Sequence, residues 1–436
     1  MKRGTKLLYK KIFAGLLGGG MLFMPNWSYA LPSGGQVVTN NGTITAGGKV
    51  MDITGSGNVA IDWNSFNIAA DEIVNFKNMQ AVLNYVSGGS KSEIFGKLNG
   101  AGGNVFLVNP NGILFGKTAQ VNVGQLTAST RSLEKAALNS FNGSLSPLDA
   151  GGAANVKADI INLGKLKAGK LVLEGNNLSI IGSDSLEVAD KSKITLRAGE
   201  NINIGYEVTD KTTIDVGDGK GNTHQVSDYG KGGGDKASDV LSTASVTDLK
   251  GSAKSINDAM LVHDVYELQA IDRNTGTING SSYVVGNYML AGDIDAGDTK
   301  NWNSGRGFDP IGRLNRTGNG VTGSFSGAFD GICHSIQNLY IRQIGNQYDG
   351  YIGLFEGIGK GGSVGNVNMA GGHIEGTSNF GSIAGLNWGT IYNIVNSAEL
   401  VCSSGGVGGI VGTNGGVIRN AVNNGTLKID GRSGGI

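Results

Sequence analysis

Acid-base or nucleophilic chemistry needs carboxyls, imidazoles or thiols gathered within hydrogen-bond reach of one another. The tight acidic pairs of this chain are Asp293/Asp295 and Asp215/Asp218, and both sit in turn-like contexts. A polysaccharide-cleaving site would need such carboxyls, or Asp with Arg or Lys, projecting together from one sheet into a groove. His224, His263, His334 and His373 have no metal-ligand spacing with one another or with the two cysteines. "GKGGGD", ending at Asp235, matches a single calcium-binding nonapeptide turn; such turns work in tandem and no second copy follows, so it reads as a loop. No catalytic residue, metal ligand or cofactor is nominated.

The stretch with the sharpest local geometry is "NVFLVNPNGILFG", in a chain with only five prolines in 436 residues. Asn109 suits position i of a type I turn, Pro110 presets φ at i+1, Asn111 tolerates i+2 and Gly112 suits i+3, with Ile113 opening the next apolar run. The reading is strand, tight corner, strand, and on this chemistry alone a purely structural turn is favoured over a recognition element.

Such a corner needs elements to hold it. Lys2, Arg3, Lys6, Lys10 and Lys11 precede the apolar run Ile12 to Met24, followed by Ser28-Tyr29-Ala30. This is a secretory signal peptide, residues 1–30, with cleavage expected between Ala30 and Leu31. Its apolar core is shorter than the roughly 20 residues that span a bilayer, and no later segment approaches that length, so no stable membrane span is expected. Removing residues 1–30 takes away five Lys/Arg and no acid, leaving 30 basic against 35 acidic residues, a formal charge of −5. That balance gives no reason to expect a nucleic-acid partner.

The chain is rich in Gly, with 76 in all, and sparing in charge at 16%, yet its apolar residues come in short alternating runs. "NVAIDW", "EIVNF", "NVFLV", "AQVNVG", "KLVLEG", "KITLRAG" and "INIGY" are examples, each bounded by Gly, Asn or Asp. One helical candidate, Ser132 to Phe141, interrupts them. The C-terminal third carries an internal repeat: Gly381, Ile383, Gly385, Asn387, Gly389, Ile391 and Asn393 recur as Gly408, Ile410, Gly412, Asn414, Gly416, Ile418 and Asn420, a constant offset of 27. A Gly/Ile/Asn period in the twenties fits a solenoid, in which like residues of successive coils stack and Asn amides form ladders. With coils ~4.8 Å apart, Cys333 and Cys402, 69 positions apart, would sit ~12 Å apart along the axis, beyond the ~7 Å Cα separation of a disulfide. Two buried thiols are expected.

Ala81-Val-Leu-Asn-Tyr-Val86, Ile94-Phe-Gly-Lys-Leu98, Gly103 to Ile113 and Leu126-Thr-Ala-Ser-Thr130 together resemble the N-terminal secretion domain of filamentous haemagglutinins and other two-partner secretion exoproteins. The resemblance covers about residues 31–230. It implies an all-β, right-handed parallel β-helix, with Asn109, Pro110, Asn111, Gly112 and Ile113 in the region recognised by a dedicated outer-membrane transporter of the Omp85 type, which carries periplasmic repeat domains. Some members have a second motif, Asn-Pro-Asn-Leu, that this chain lacks. Farther on, Val265 to Ile271, Tyr288 to Asp295, Phe308 to Gly312, Phe325 to Gly331 and Ile336 to Leu339 resemble the lead-in to the glycine-rich GLUG repeats of bacterial surface adhesins and some secreted proteases.

The expected organisation is therefore signal peptide 1–30, secretion β-helix 31–230, linker 231–256 and GLUG-type repeats 257–436, also β-solenoidal by their period. Because Ser433-Gly-Gly-Ile436 repeats the opening of a coil at Val407-Gly-Gly-Ile410, a continuation beyond residue 436 is expected. The expected function is a non-enzymatic adhesin or haemagglutinin, exported through the periplasm to the cell surface and binding a host cell or glycan receptor. The alternatives are the stalk of a larger toxin or protease, or a β-helix polysaccharide-degrading enzyme. Changing Asn109 and Asn111 is expected to disturb only a surface turn, at about 1 kcal/mol.

Overall fold

The computed structural model describes residues 31–39, 41–146, 156–317, 320–343, 350–377, 379–402 and 407–429. The leader with Ala30, and the coil opening at Ser433 to Ile436, lie outside the described residues.

Alternating runs become strands that stack in parallel, coil upon coil. On one wall Asn58–Trp63, Ala81–Val86, Lys97–Val108, Gln120–Ser129, Lys165–Gly175 and Ile194–Ala198 pair in succession. Their register places Val59, Val82, Val105, Leu126, Leu171 and Ile194 in one column, and all six are buried. A facing wall is built from Ser92–Ile94, Ile113–Phe115, Ile160–Asn162, Leu178–Ile180 and Ile202–Tyr206, with Ile113, Ile160, Leu178 and Ile202 in a second buried column. The period-2 alternation that points every second side chain inward is what lets identical positions stack into a continuous core. This is a parallel β-helix.

The same wall continues through Asn257–Val262, Asn287–Leu290 and Ala328–Asp330. Residues 231–256, read from the sequence as a linker, carry a short helix, Ala237–Val240, and a strand, Ser245–Thr247, that pairs with Ile194–Ala198. Ala237 and Leu241 are buried in the same core as the earlier coils. The expected helix at 132–141 is instead a short 3-10 segment, Lys135–Ser140. Ten residues are too few to sustain an isolated α-helix, and packing of Leu138 and Phe141 beside Leu83 and Tyr85 sets the conformation.

In the last third each coil contributes three strands. Ser363–Ala370, Thr390–Asn396 and Val417–Asn423 stack with Val364, Ile391 and Ile418 in register, the offset of 27. Asn387 donates to Asn414 at 2.7 Å and Asn396 to Asn423 at 2.7 Å. Another ladder runs from Asn420 to Asn393 at 3.1 Å and from Asn393 to Asn366 at 2.9 Å. All three of these residues have φ between +50° and +54°, a left-handed corner that Asn tolerates better than most residues. Cys333 and Cys402 are buried and not joined in a disulfide.

Two stacks of coils lie side by side. In a flat sheet, Leu178–Ile180 and Ala328–Asp330, four pairings apart, would be separated by ~19 Å. Instead Ser179 Oγ donates to Asp330 Oδ2 at 2.6 Å. Ile332 and Cys333 pack against Leu114, Ile161 and Leu261 on the outer face of the earlier coils. The wall therefore folds back, and the later coils rest against the flank of the earlier ones.

Candidate functional site

The Asn109 to Ile113 corner joins the long strand Lys97–Val108 to Ile113–Phe115. Gly112 N–H donates to the Asn109 carbonyl at 3.1 Å, closing the four-residue turn read from the sequence. Gly112 has φ +112°, and a Cβ there would stand 3.3 Å from the Asp159 carbonyl; a side chain at this position would be strained.

Within the turn the two asparagines have opposite environments. Asn109 is completely buried. Its Nδ2 donates to the Ser90 carbonyl and to Ser92 Oγ, both at 3.0 Å. Its Oδ1 accepts from the Asn111 backbone N–H at 2.9 Å and from Asn111 Nδ2 at 3.2 Å. Asn111 is exposed, anchored by one further bond from Nδ2 to the Gly88 carbonyl at 2.7 Å. The expectation that both asparagines are surface groups is thus corrected for Asn109: its amide ties the corner to the preceding coil, while Ile113 N–H reaches Asp159 O of the next coil at 3.2 Å. Removing a fully bonded buried amide costs more than a surface change. The corner presents Asn111, with Pro110 half-buried beside it, on a base fixed by three coils.

The other sequence candidates fall into structural roles. Asp215 Oδ1 caps Gly217 N–H and Asp218 Oδ1 caps Lys220 N–H, both at 2.8 Å. Asp295 Oδ1 accepts from Gly297 N–H and Asn338 Nδ2, and the Asn338 bond in particular holds its carboxyl below the usual range. Asp293 accepts from Ser335 N–H at 2.7 Å. These carboxyls close turns and do not converge on one groove. His224 stacks on Tyr266, His263 bonds Glu267, His334 faces Asp293 and His373 bonds Glu399. Among the described residues no group of three His, Cys, Asp or Glu is placed to hold a metal ion. Leu31 is half-buried against the first core, and Ala30 lies outside the described residues.

The TPS secretion domain family matches residues 28–294, which include the corner and every coil of the first wall. The chain belongs to that family. It is a two-partner secretion exoprotein, and a protein of this family is exported to the cell exterior. The secretion-domain match extends over the strands Asn257–Val262 and Asn287–Leu290 that carry the wall onward. Among curated relatives, halomucin of Haloquadratum walsbyi is 28% identical over 249 residues, 57% of this chain and 2% of halomucin. A heme/hemopexin-binding protein of Haemophilus influenzae is 34% identical over 177 residues, 39% of this chain and 19% of that protein. The chain thus spans less than a fifth of either relative's length. The solved HMW1 secretion domain from Haemophilus influenzae aligns with 91% of this chain and 99% of its own, at 15% identity and a TM-score of 0.27. Among the described residues no helix is long and apolar enough to cross a membrane.

Sequence reading missed a polar centre elsewhere. Asp330, buried, accepts from Ser179 Oγ, Asn366 Nδ2 at 2.8 Å, Ile332 N–H at 2.8 Å and Asn203 Nδ2 at 3.4 Å. Ser179 and Asn203 belong to the early coils and Asn366 to a late one, so this carboxyl fastens the two stacks. Only its place in "AFDG", a turn-like ending to a strand, marked it in the sequence.

Proposed function

We propose that this exoprotein is an adhesin or haemagglutinin, carried across the outer membrane by a dedicated Omp85-type transporter with periplasmic repeat domains. In this reading the leader is removed between Ala30 and Leu31, residues 31–230 form the secretion module, and 257–436 supply GLUG-type repeats that meet a host cell or glycan receptor. Asn109, Pro110, Asn111, Gly112 and Ile113 form the transporter-recognition turn. Asn109 and Gly112 shape it, and Asn111 is the residue offered to the partner. The observation that carries this reading is the exposed Asn111 on a base of buried, fully bonded Asn109, within a chain of the secretion-domain family.

The test is co-expression with an outer-membrane transporter of the Omp85 type from the same organism. Asn111→Ala should lower release into the medium by at least about tenfold, the scale of a lost recognition contact of ~1.4 kcal/mol or more. Periplasmic protein should accumulate with an unchanged melting temperature. Normal release of Asn111→Ala would show that the turn is not the recognition element. Attachment of the exported chain to host-cell monolayers tests the adhesin half, and a folded, released chain that binds no cell surface would refute it.

A further inference from the structure

We propose that the groove between the two coil stacks binds a neutral, linear, polyhydroxylated chain, a glycan segment; the proposal rests on the adhesin reading and gives it a site. The groove has a volume of about 420 Å³ and is walled by early coils on one side and late coils on the other.

Each wall carries a ladder of amides or carboxyls. On the early wall Asp159 Oδ1 accepts from Asn177 N–H and Nδ2, each at 3.0 Å, and Asn177 Oδ1 accepts from Asn201 N–H at 3.1 Å and Nδ2 at 3.2 Å. On the late wall stand Asn393 and Asn420, joined at 3.1 Å. Successive rungs repeat at the coil spacing of ~4.8 Å, so the groove offers a regularly spaced polar lining over three early rungs, Asp159, Asn177 and Asn201, and two late ones, Asn393 and Asn420. Such a surface suits a polymer whose units also repeat, and an amide both donates and accepts, as a sugar hydroxyl does.

Tyr392 supplies an aromatic element between the rungs. Its ring lies over Gly365 of the preceding coil: a Cβ at Gly365 would stand 2.1 Å from Tyr392 Cζ, so glycine there is what lets the ring settle. Burial, with the carboxyls of Asp330, Asp159 and Glu200 nearby, raises its hydroxyl well above the usual range and keeps it a donor. That hydroxyl has no hydrogen-bond partner among the described residues.

Charge decides the class of ligand. Lys157 and Arg419 face Asp159 and Glu200 in the lining, and Arg419 Nη1 spans to Glu200 at 3.9 Å. With two charges of each sign the groove has no net attraction for phosphate, sulfate or sialic acid, and its amide-rich lining offers no apolar slot. A neutral saccharide chain meets every one of these features.

The experiment uses the exported chain on an array of neutral, sialylated and sulfated oligosaccharides, followed by titration with the best neutral binder. Tyr392→Phe should weaken that binding about fivefold or more, the loss of one hydrogen bond, and Asn201→Trp, at the exposed end of its ladder, should block it. Both variants should keep the circular dichroism and melting temperature of the parent. Absence of neutral binding by the folded parent, preference for charged glycans, or equal affinity in both variants would overturn the groove assignment. Cell attachment measured on the same preparations separates the two readings: attachment that persists without neutral-glycan binding defeats the groove alone, and parent protein that attaches to nothing defeats the adhesin reading.

Discussion

Ser179 donates its hydroxyl proton to Asp330 at 2.6 Å across 151 positions of chain. Because Asp330 also holds Asn366 and the Ile332 N–H, this one carboxyl joins an early coil to a late one. Asp330→Ala leaves several buried donors without an acceptor and should destabilise the chain by on the order of 3 kcal/mol in urea denaturation. Asp330→Asn keeps one acceptor oxygen and should recover part of the loss. An alanine variant within 0.5 kcal/mol of the parent, roughly the range of ordinary surface changes, would mean that the carboxyl does not fasten the stacks.

A second cluster makes stability depend on pH at both ends. The hydrogen bond to Glu267 lifts His263 to about 9 against the effect of burial, with Glu207 adding to the rise. Burial pushes Glu267 up, but hydrogen bonds from His263 and Ser227 outweigh it and bring the carboxyl to about 2. The His263 contribution is complete below its unfolded value of about 6.5 and is lost as pH rises through about 9. The Glu267 contribution is complete above about 4.5 and is lost as pH falls through about 2. The pair titrates as a unit, so both contributions are whole between about 4.5 and 6.5. Denaturation midpoints of His263→Gln should lose the decline between pH 6.5 and 9 that this pair adds to the parent. An identical alkaline slope in parent and variant would sink this assignment.

Glu356 works in the opposite sense. Burial, with Asp309 and Asp272 adding, raises it to about 7 despite a bond from the Leu314 N–H and the nearby Arg313. The folded chain binds this proton more tightly than the unfolded one, so stability falls as pH rises from about 4.5 through about 7. Glu356→Gln removes the ionisation and should be more stable than the parent at pH 8, by on the order of 1–3 kcal/mol, with little difference at pH 4. A variant no more stable at pH 8 than at pH 4, relative to the parent, contradicts it.

The parts of the fold legible in the sequence are those written in nearest-neighbour patterns. Alternation around Val59, Val105, Leu171 and Ile194 marked strands, and the offset of 27 between Ile391 and Ile418 became the pairing register itself. The corner was legible because Pro110 and Gly112 have few other uses in a strand-rich chain. What escaped was determined by distant partners. Asn109 reads as a surface polar residue until Ser90 and Ser92 of another coil bury it. The back-folding of the wall depends on Asp330 meeting Ser179 and Asn203, a relation that no periodicity of 2 or 27 encodes. The groove residues Tyr392 and Asn201 share no motif, since the fold-back alone brings them together.

The Asn366, Asn393 and Asn420 ladder allows side-chain bonding and backbone strain to be separated. Asn393 is an inner rung, donating to Asn366 and accepting from Asn420, at φ +53°. Asn393→Gly loses both amide bonds but none of the backbone fit, and should cost about 1–2 kcal/mol. Asn393→Ala loses the same bonds and also forces a Cβ into the left-handed region, where an L-residue is disfavoured by roughly 1–2 kcal/mol. The smaller unfolded-state entropy of alanine offsets about 0.4–1 kcal/mol of that, so alanine should remain the worse of the two. Equilibrium denaturation of both variants checks the order. Alanine equal to or better than glycine would mean that the corner relaxes away from φ +53° when the amide is gone, and that the ladder, not the corner, imposes the left-handed turn.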